Sequence, residues 1–247
     1  VIGTSFALAR GIAPSNQKIG LFDAAALVFK EFIANCLLFC FFLPFDRYWM
    51  GSDKLSGTHR LPVLLVHGYL CNRACWVRIA RVLQRAGWPV ATVNLEPPTA
   101  SIEHFAEQLD RRVSEVLEET GAEQLILVAH SMGGLVARCY LARYGESSVR
   151  ALITLGTPHH GTERARMGIG RCAREMEPGS SWLASLPNSV PVPLIAIHST
   201  HDNVVMPHRL CLLPEAHNIG LSAMGHQQML FSHRVARGLL RELDGLL

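Results

Sequence analysis

Gln124 to Tyr140 read QLILVAHSMGGLVARCY, and this stretch decides the fold. An apolar run, Leu125 to Ala129, gives way at His130-Ser131-Met132-Gly133-Gly134 to a segment with helical periodicity. A strand that breaks sharply into a helix, with a serine at the break and small residues two before and two after it, has the pattern A-x-S-x-G. Such a serine takes a strained backbone conformation so that its hydroxyl stands above the sheet, and a bulky side chain at either flanking position would collide with the turning chain. Ala129 and Gly133 meet that need, Ala129 departing from the usual glycine by a single methyl group. The helix that follows points amide groups and its positive dipole end at the serine, which favours the negative charge of acyl transfer. Serine is also a favoured helix N-cap, so the motif alone carries two readings.

Upstream, Leu61 to Val66 (LPVLLV) is a continuous apolar run of the kind buried on both faces of a parallel sheet, and His67-Gly68-Tyr69 follows its carboxyl end. A helical segment from about Ala74 to Ala86 ends at Gly87 and leads to a second apolar strand, Val90 to Leu95, closed by Pro97-Pro98. Glu96, at that strand end, is a candidate active-site carboxylate or a loop cap. Ser101 to Thr120 has Ser101 as its N-cap, Ile102, Phe105, Leu109, Val113, Val116 and Leu117 on one face, and Gly121 as its stop. Strand and helix alternate up to and through the elbow, which implies a mostly parallel, doubly wound sheet.

Downstream, the strand Val149 to Leu155 ends in Gly156-Thr157-Pro158-His159-His160-Gly161-Thr162. Adjacent histidines in a loop diverge, no cysteine is near and Glu163 is the only close carboxylate, so this reads as a loop lining a rim rather than a metal site. Glu163 to about residue 190 lacks strand alternation and lies where a cap inserts between two sheet strands. Its Met167, Met176, Trp182 and Leu183 either meet an acyl chain or pack the cap onto the domain. Val192 to His198 is another buried strand, followed by His201 and Asp202; Glu215 to Leu221 is a weaker last strand, after which Ser222 to Gly225 lead to His226 and a helical segment, Gln227 to Leu240. Ser131, Asp202 and His226 thus stand in the chain order nucleophile, acid, base. His217 at a strand start and His233 within a helix are poorly placed to reach the serine, and His201 reads as a rim residue.

The motifs VHGYL, AHSMGG, LGTPHHGT, HDNVV and GHQQML, spread between Leu61 and Leu240, together resemble bacterial triacylglycerol lipases and related esterases of the α/β-hydrolase superfamily. The resemblance implies an α/β-hydrolase fold, with a mostly parallel central sheet flanked by helices and a small cap. It implies Ser131 as nucleophile, Asp202 as acid, His226 as base, and the backbone amides of Tyr69 and Met132 as the oxyanion hole. His67, Gly68, His130, Met167 and Trp182 are the substrate-binding candidates. The expected substrate is an acyl ester or lipid, with no cofactor and no metal; the structural calcium of some relatives has no readable site here. An acyltransferase would use the same triad. A membrane-tethered, non-catalytic binding module predicts a missing triad member, and all three are present.

Residues 1 to 60 match none of these patterns. Val1 to Gly20 show no clear periodicity, and an opening on Val1 is expected of a fragment or a processed chain. Leu21 to Leu43 is the most apolar segment, interrupted by Asp23, Lys30 and Glu31; its uncharged run, Phe32 to Phe45, falls short of the roughly 20 apolar residues of a comfortable span. The expectation is an apolar N-terminal helix that associates with a membrane surface. A cover over a greasy substrate site and an ordinary buried or oligomer-packing helix are the competing readings. No small-x-small site follows, as a cleavable signal would require. Pro44 to Arg60 reads as a linker, placing the catalytic domain at residues 61 to 247.

A chain of 247 residues fits one large α/β domain. Its net charge of +3 is scattered, with no basic block to recruit nucleic acid. Seven cysteines without a two-residue-spaced pair argue against a zinc ribbon and a disulfide framework alike. The expected setting is membrane-associated in a bacterium, otherwise cytoplasmic, with secretion left open.

Overall fold

The computed structural model describes residues 19–55 and 60–246, so the reading of Val1 to Gly20 falls almost wholly, and residues 56–59 of the expected linker entirely, outside the described residues. Short runs rich in branched residues form a six-stranded sheet: β1 (Val63–Val66), β2 (Val90–Val93), β3 (Leu125–His130), β4 (Val149–Leu155), β5 (Leu194–Ser199) and β6 (His217–Leu221). Their order is β2-β1-β3-β4-β5-β6 and every neighbouring pair is parallel. β1 and β3 are buried along their whole length, as coverage by helices on both faces demands. β6 is an edge strand and mostly exposed, which accounts for its weak apolar signal. The strand order reverses at β1, and the carboxyl ends of β1 and β3 lie side by side there, where open α/β sheets place their ligands.

The apolar N-terminal segment forms α1 (Leu21–Cys36), which runs on through a π-helical turn, Leu37–Phe42, and a 3₁₀ turn, Leu43–Phe45, into α2 (Asp46–Met50). The expected linker is therefore helical up to Met50. Pro44 is tolerated because it stands in the first turn of its 3₁₀ segment, where a missing N–H costs least. Beyond it, Lys54 pairs antiparallel with Val90, and Asp53 accepts from Thr92 N at 3.0 Å and from Arg112 Nη2 at 2.7 Å, so this segment is fastened to the sheet edge. Ala24, Leu27, Glu31, Ala34 and Leu38 recur three or four residues apart and bury one face against the body of the protein. Leu38 joins the core cluster containing Val63, Trp76 and Met229.

The remaining helices are α3 (Val77–Arg85), α4 (Ile102–Thr120), α5 (Met132–Tyr144), the short α6 (Arg171–Glu175) and α7 (Ser181–Ser185), then α8 (Gln228–Phe231) and α9 (His233–Asp244). Ser101 caps α4 by accepting from His104 N at 3.2 Å, and Gly121 closes it in the left-handed conformation, φ 69°. The single helix expected over 227–240 is two, because Ser232 interrupts it and caps α9 through Arg234 N and Val235 N. The region expected as a cap holds α6 and α7 and is tied to the body. Arg171 N and Cys172 N donate to Thr99 O and Ala100 O, at 2.9 and 3.0 Å, and the buried Glu175 accepts from Ile102 N at 2.7 Å.

Candidate active site

Ser131 sits at the junction of β3 and α5 with φ 54° and ψ −127°, a conformation costly for any residue with a Cβ. Its side chain makes no capping bond to α5, and its backbone is not the extended form of an ordinary N-cap. The strain is held by backbone bonds: Ser131 N donates to Leu155 O at 2.9 Å and Gly134 N donates to Ser131 O at 3.1 Å. Small neighbours are required by contact. A Cβ on Gly133 would lie 2.5 Å from Val66 O, and one on Gly68 would lie 2.8 Å from Ser131 Cβ. The β1 loop therefore rests directly on the serine. Met132 N is the first amide of α5, without an acceptor inside the helix, and Tyr69 follows Gly68 on the facing loop.

Asp202 follows β5 and His226 follows β6, both buried, with His226 Nδ1 2.8 Å from Asp202 Oδ2. The other carboxylate oxygen accepts from Val204 N at 2.7 Å and Val205 N at 2.8 Å, which fixes its orientation. Burial alone would push the His226 pKa down, but the Asp202 carboxylate outweighs it and holds the ring above the ordinary histidine value. With Asp202 accepting at Nδ1, the neutral ring presents Nε2 as an acceptor. The His226 ring lies 4.7 Å, centroid to centroid, from that of His130, the neighbour of Ser131. Among the described residues, His226 has no hydrogen bond to Ser131.

Residues 62–171 match the α/β-hydrolase fold family. The crystal structure of a Bacillus licheniformis lipase in its mature form superposes with a TM-score of 0.67 at 18% identity, covering 78% of this chain and 96% of that one. The chain has the α/β-hydrolase fold. It is 36% identical over 128 residues to a triacylglycerol lipase of Burkholderia plantarii, covering 47% of the chain and 34% of the relative. It is also 36% identical over 126 residues to a triacylglycerol lipase of Pseudarthrobacter phenanthrenivorans, covering 46% and 38% respectively. The chain thus spans about a third of the length of these curated relatives.

Several residues lie elsewhere than expected. His67 is turned inward rather than toward a substrate: its Nε2 accepts from Leu95 N at 3.0 Å, which leaves Nδ1, 2.9 Å from Gly68 O, to donate. Burial pushes its pKa down to about 4, so it is a neutral brace for the β1 loop. His130 is also buried, its Nε2 3.4 Å from His226 O, and burial followed by the His226 charge holds its pKa well down. His201 is buried rather than at a rim, with Nδ1 2.9 Å from Thr200 Oγ1. Glu96 is exposed, and its backbone is what matters: Glu96 N donates to Gln108 Oε1 at 2.9 Å, and Gln108 Nε2 donates back to Glu96 O. Met167 is 79% exposed and Trp182 is half-buried against the core. Tyr69 Oη donates to Ile169 O and accepts from Ile169 N, both at 2.8 Å, tying the β1 loop to the cap region. Among the described residues no group of three or more His, Cys, Asp or Glu side chains is placed to hold a metal ion.

Sequence reasoning missed Asn203 and Glu31. Asn203 Oδ1 accepts from His226 N at 2.9 Å, and a polar residue beside the expected acid was its only signal. Glu31 Oε1 and Oε2 accept from Gln227 N and Gln228 N. Its signal was a lone carboxylate on the same helical face as Ala24, Leu27, Ala34 and Leu38.

Proposed function

We propose that this chain is a serine carboxylic-ester hydrolase acting on acyl esters, with Ser131 as nucleophile, His226 as general base and Asp202 as the acid that orients it. The observation that carries the reading is the buried Asp202–His226 pair at 2.8 Å, held by loops that converge on a strained serine. The triacylglycerol lipase relatives support the substrate class. His226 Nε2 takes the Ser131 proton as Oγ attacks the ester carbonyl, and the oxyanion is bound by the amides of Tyr69 and Met132. Collapse of the tetrahedral intermediate expels the alcohol, which receives the proton from His226. Water, deprotonated by the same ring, then releases the carboxylic acid and restores Ser131. The Ser131–His226 bond closes in the substrate complex, where such contacts tighten.

The setting proposed with this activity is a lipid surface. The helical segment Leu21–Met50 is long and apolar enough to cross a membrane. Its inner face, however, is buried on the protein, while Phe22 (93% exposed), Phe29 (65%) and Phe41 (54%) face outward. A helix held along one side by protein and apolar on the other suits lying in the interface rather than spanning it.

The test is hydrolysis of p-nitrophenyl esters from short to long acyl chains, with and without an added alcohol acceptor. Release of free acid supports the reading. Product appearing only as a new ester would assign acyl transfer instead, and no turnover of any ester would point to a binding module.

A further inference from the structure

Glu31 is a buried carboxylate, 2% exposed, on a helix that is otherwise apolar on its inner face. It accepts from Gln227 N at 3.0 Å and Gln228 N at 2.8 Å, the two amides directly after His226. On the other side of His226, a Cβ on Gly225 would collide with the same carboxylate. Glu31 therefore holds the chain directly after His226 and lies against Gly225 directly before it, across 196 residues of sequence. A carboxylate stripped of water costs more than the apolar residue that would pack a helix here, so its retention calls for a reason beyond packing.

We propose that Glu31 is a positioning residue for the base: it fixes the Gly225–Gln228 loop so that His226 stays between Asp202 and Ser131, and it makes the N-terminal helix part of the catalytic apparatus. The proposal rests on the reading of His226 as general base. It extends the working unit of the enzyme beyond residues 62–171, the segment that matches the family.

The charged and titratable groups facing His226 are Asp202 from the loop after β5, Glu31 from α1 and His130 from the end of β3. His130 is held neutral by burial, so both charges acting on the ring are negative and both raise its pKa. Removing the Glu31 charge lowers the pKa of His226. Because the base works when neutral, the acidic limb of kcat/KM then moves to lower pH.

The experiment compares wild type, Glu31→Gln and Glu31→Ala by steady-state kinetics across pH, and follows the His226 ring by NMR titration, a readout independent of turnover. Glu31→Ala is expected to lower kcat by about ten- to a hundredfold, the cost of a displaced catalytic group, with KM little changed. Glu31→Gln keeps the volume and one acceptor; it is expected to recover part of that loss while its His226 titrates below wild type. Wild-type kcat in both variants, or an unchanged His226 titration in Glu31→Gln, overturns the proposal. If Glu31→Ala fails to fold, Glu31→Gln decides alone. If the wild type cleaves no ester, the reading of the base has failed, and the titration still decides whether Glu31 acts on His226.

Discussion

At Ser131 the backbone holds about 1–3 kcal/mol of strain, the usual cost of a residue with a Cβ at positive φ. Gly133 makes that strain possible by letting the first turn of α5 press against β1. Gly133→Ala is expected to cost about 1–3 kcal/mol of stability, because the atom its Cβ meets is a backbone oxygen that cannot move aside; chemical denaturation measures it. Asp202→Asn is expected to preserve the fold and lower kcat by about 10⁴, the effect of the same change in another Ser-His-Asp hydrolase; a fall of less than about tenfold would remove Asp202 from its role. His67 makes a separate prediction. Its pKa in the folded protein is about 4, below the ordinary value of 6.5, so between those values the unfolded chain binds more protons and stability falls as the pH drops. From about pH 7 to about pH 5 the loss attributable to His67 is about 2 kcal/mol. His67→Gln, which keeps an acceptor for Leu95 N, is expected to show an acid dependence smaller by that amount in denaturant titrations at the two pH values.

Helix α4 draws on an outside partner, its first amide being satisfied by Glu175 rather than by its own cap. Glu175→Ala is expected to cost about 1–2 kcal/mol, seen as a lower Tm, since it strands a buried donor and also frees Arg171, 3.0 Å away. Strands and caps were legible in the sequence because their causes are local. LPVLLV and VRALITL are apolar because both faces of those strands are covered, and Ser101 and Gly121 bracket α4 by short-range chemistry. The chain order of the proposed triad was legible for a related reason: Ser131, Asp202 and His226 each follow a recognisable strand. What escaped was set by distant contacts. Pro44 and the Gly/Ser-rich stretch after it signalled a linker, yet packing carries the helix to Met50. Asn203 and Glu31 take their places from tertiary bonds that no local pattern records.

Across the whole molecule, the N-terminal helix divides the surface into two tasks. Its inner side joins the core and reaches the His226 loop, while its outer side leaves Phe22, Phe29, Phe41 and Phe45 open. Burying one phenylalanine in lipid is worth about 1.5–3 kcal/mol, so the double change Phe22→Glu and Phe29→Glu is expected to weaken binding to phospholipid vesicles by at least about tenfold in flotation assays. Hydrolysis of a soluble short-chain ester is expected to stay near wild type, because neither side chain belongs to the site. Vesicle binding equal to wild type would leave the exposed face without a lipid role. The most direct measurement of the central claim is the hydrolysis of one p-nitrophenyl ester by wild type and Ser131→Ala, with mass spectrometry of the protein after reaction with a fluorophosphonate. The account predicts turnover and a covalent adduct on Ser131 in the wild type, and neither in the variant. Hydrolysis retained by Ser131→Ala, or an adduct on another residue, would contradict it.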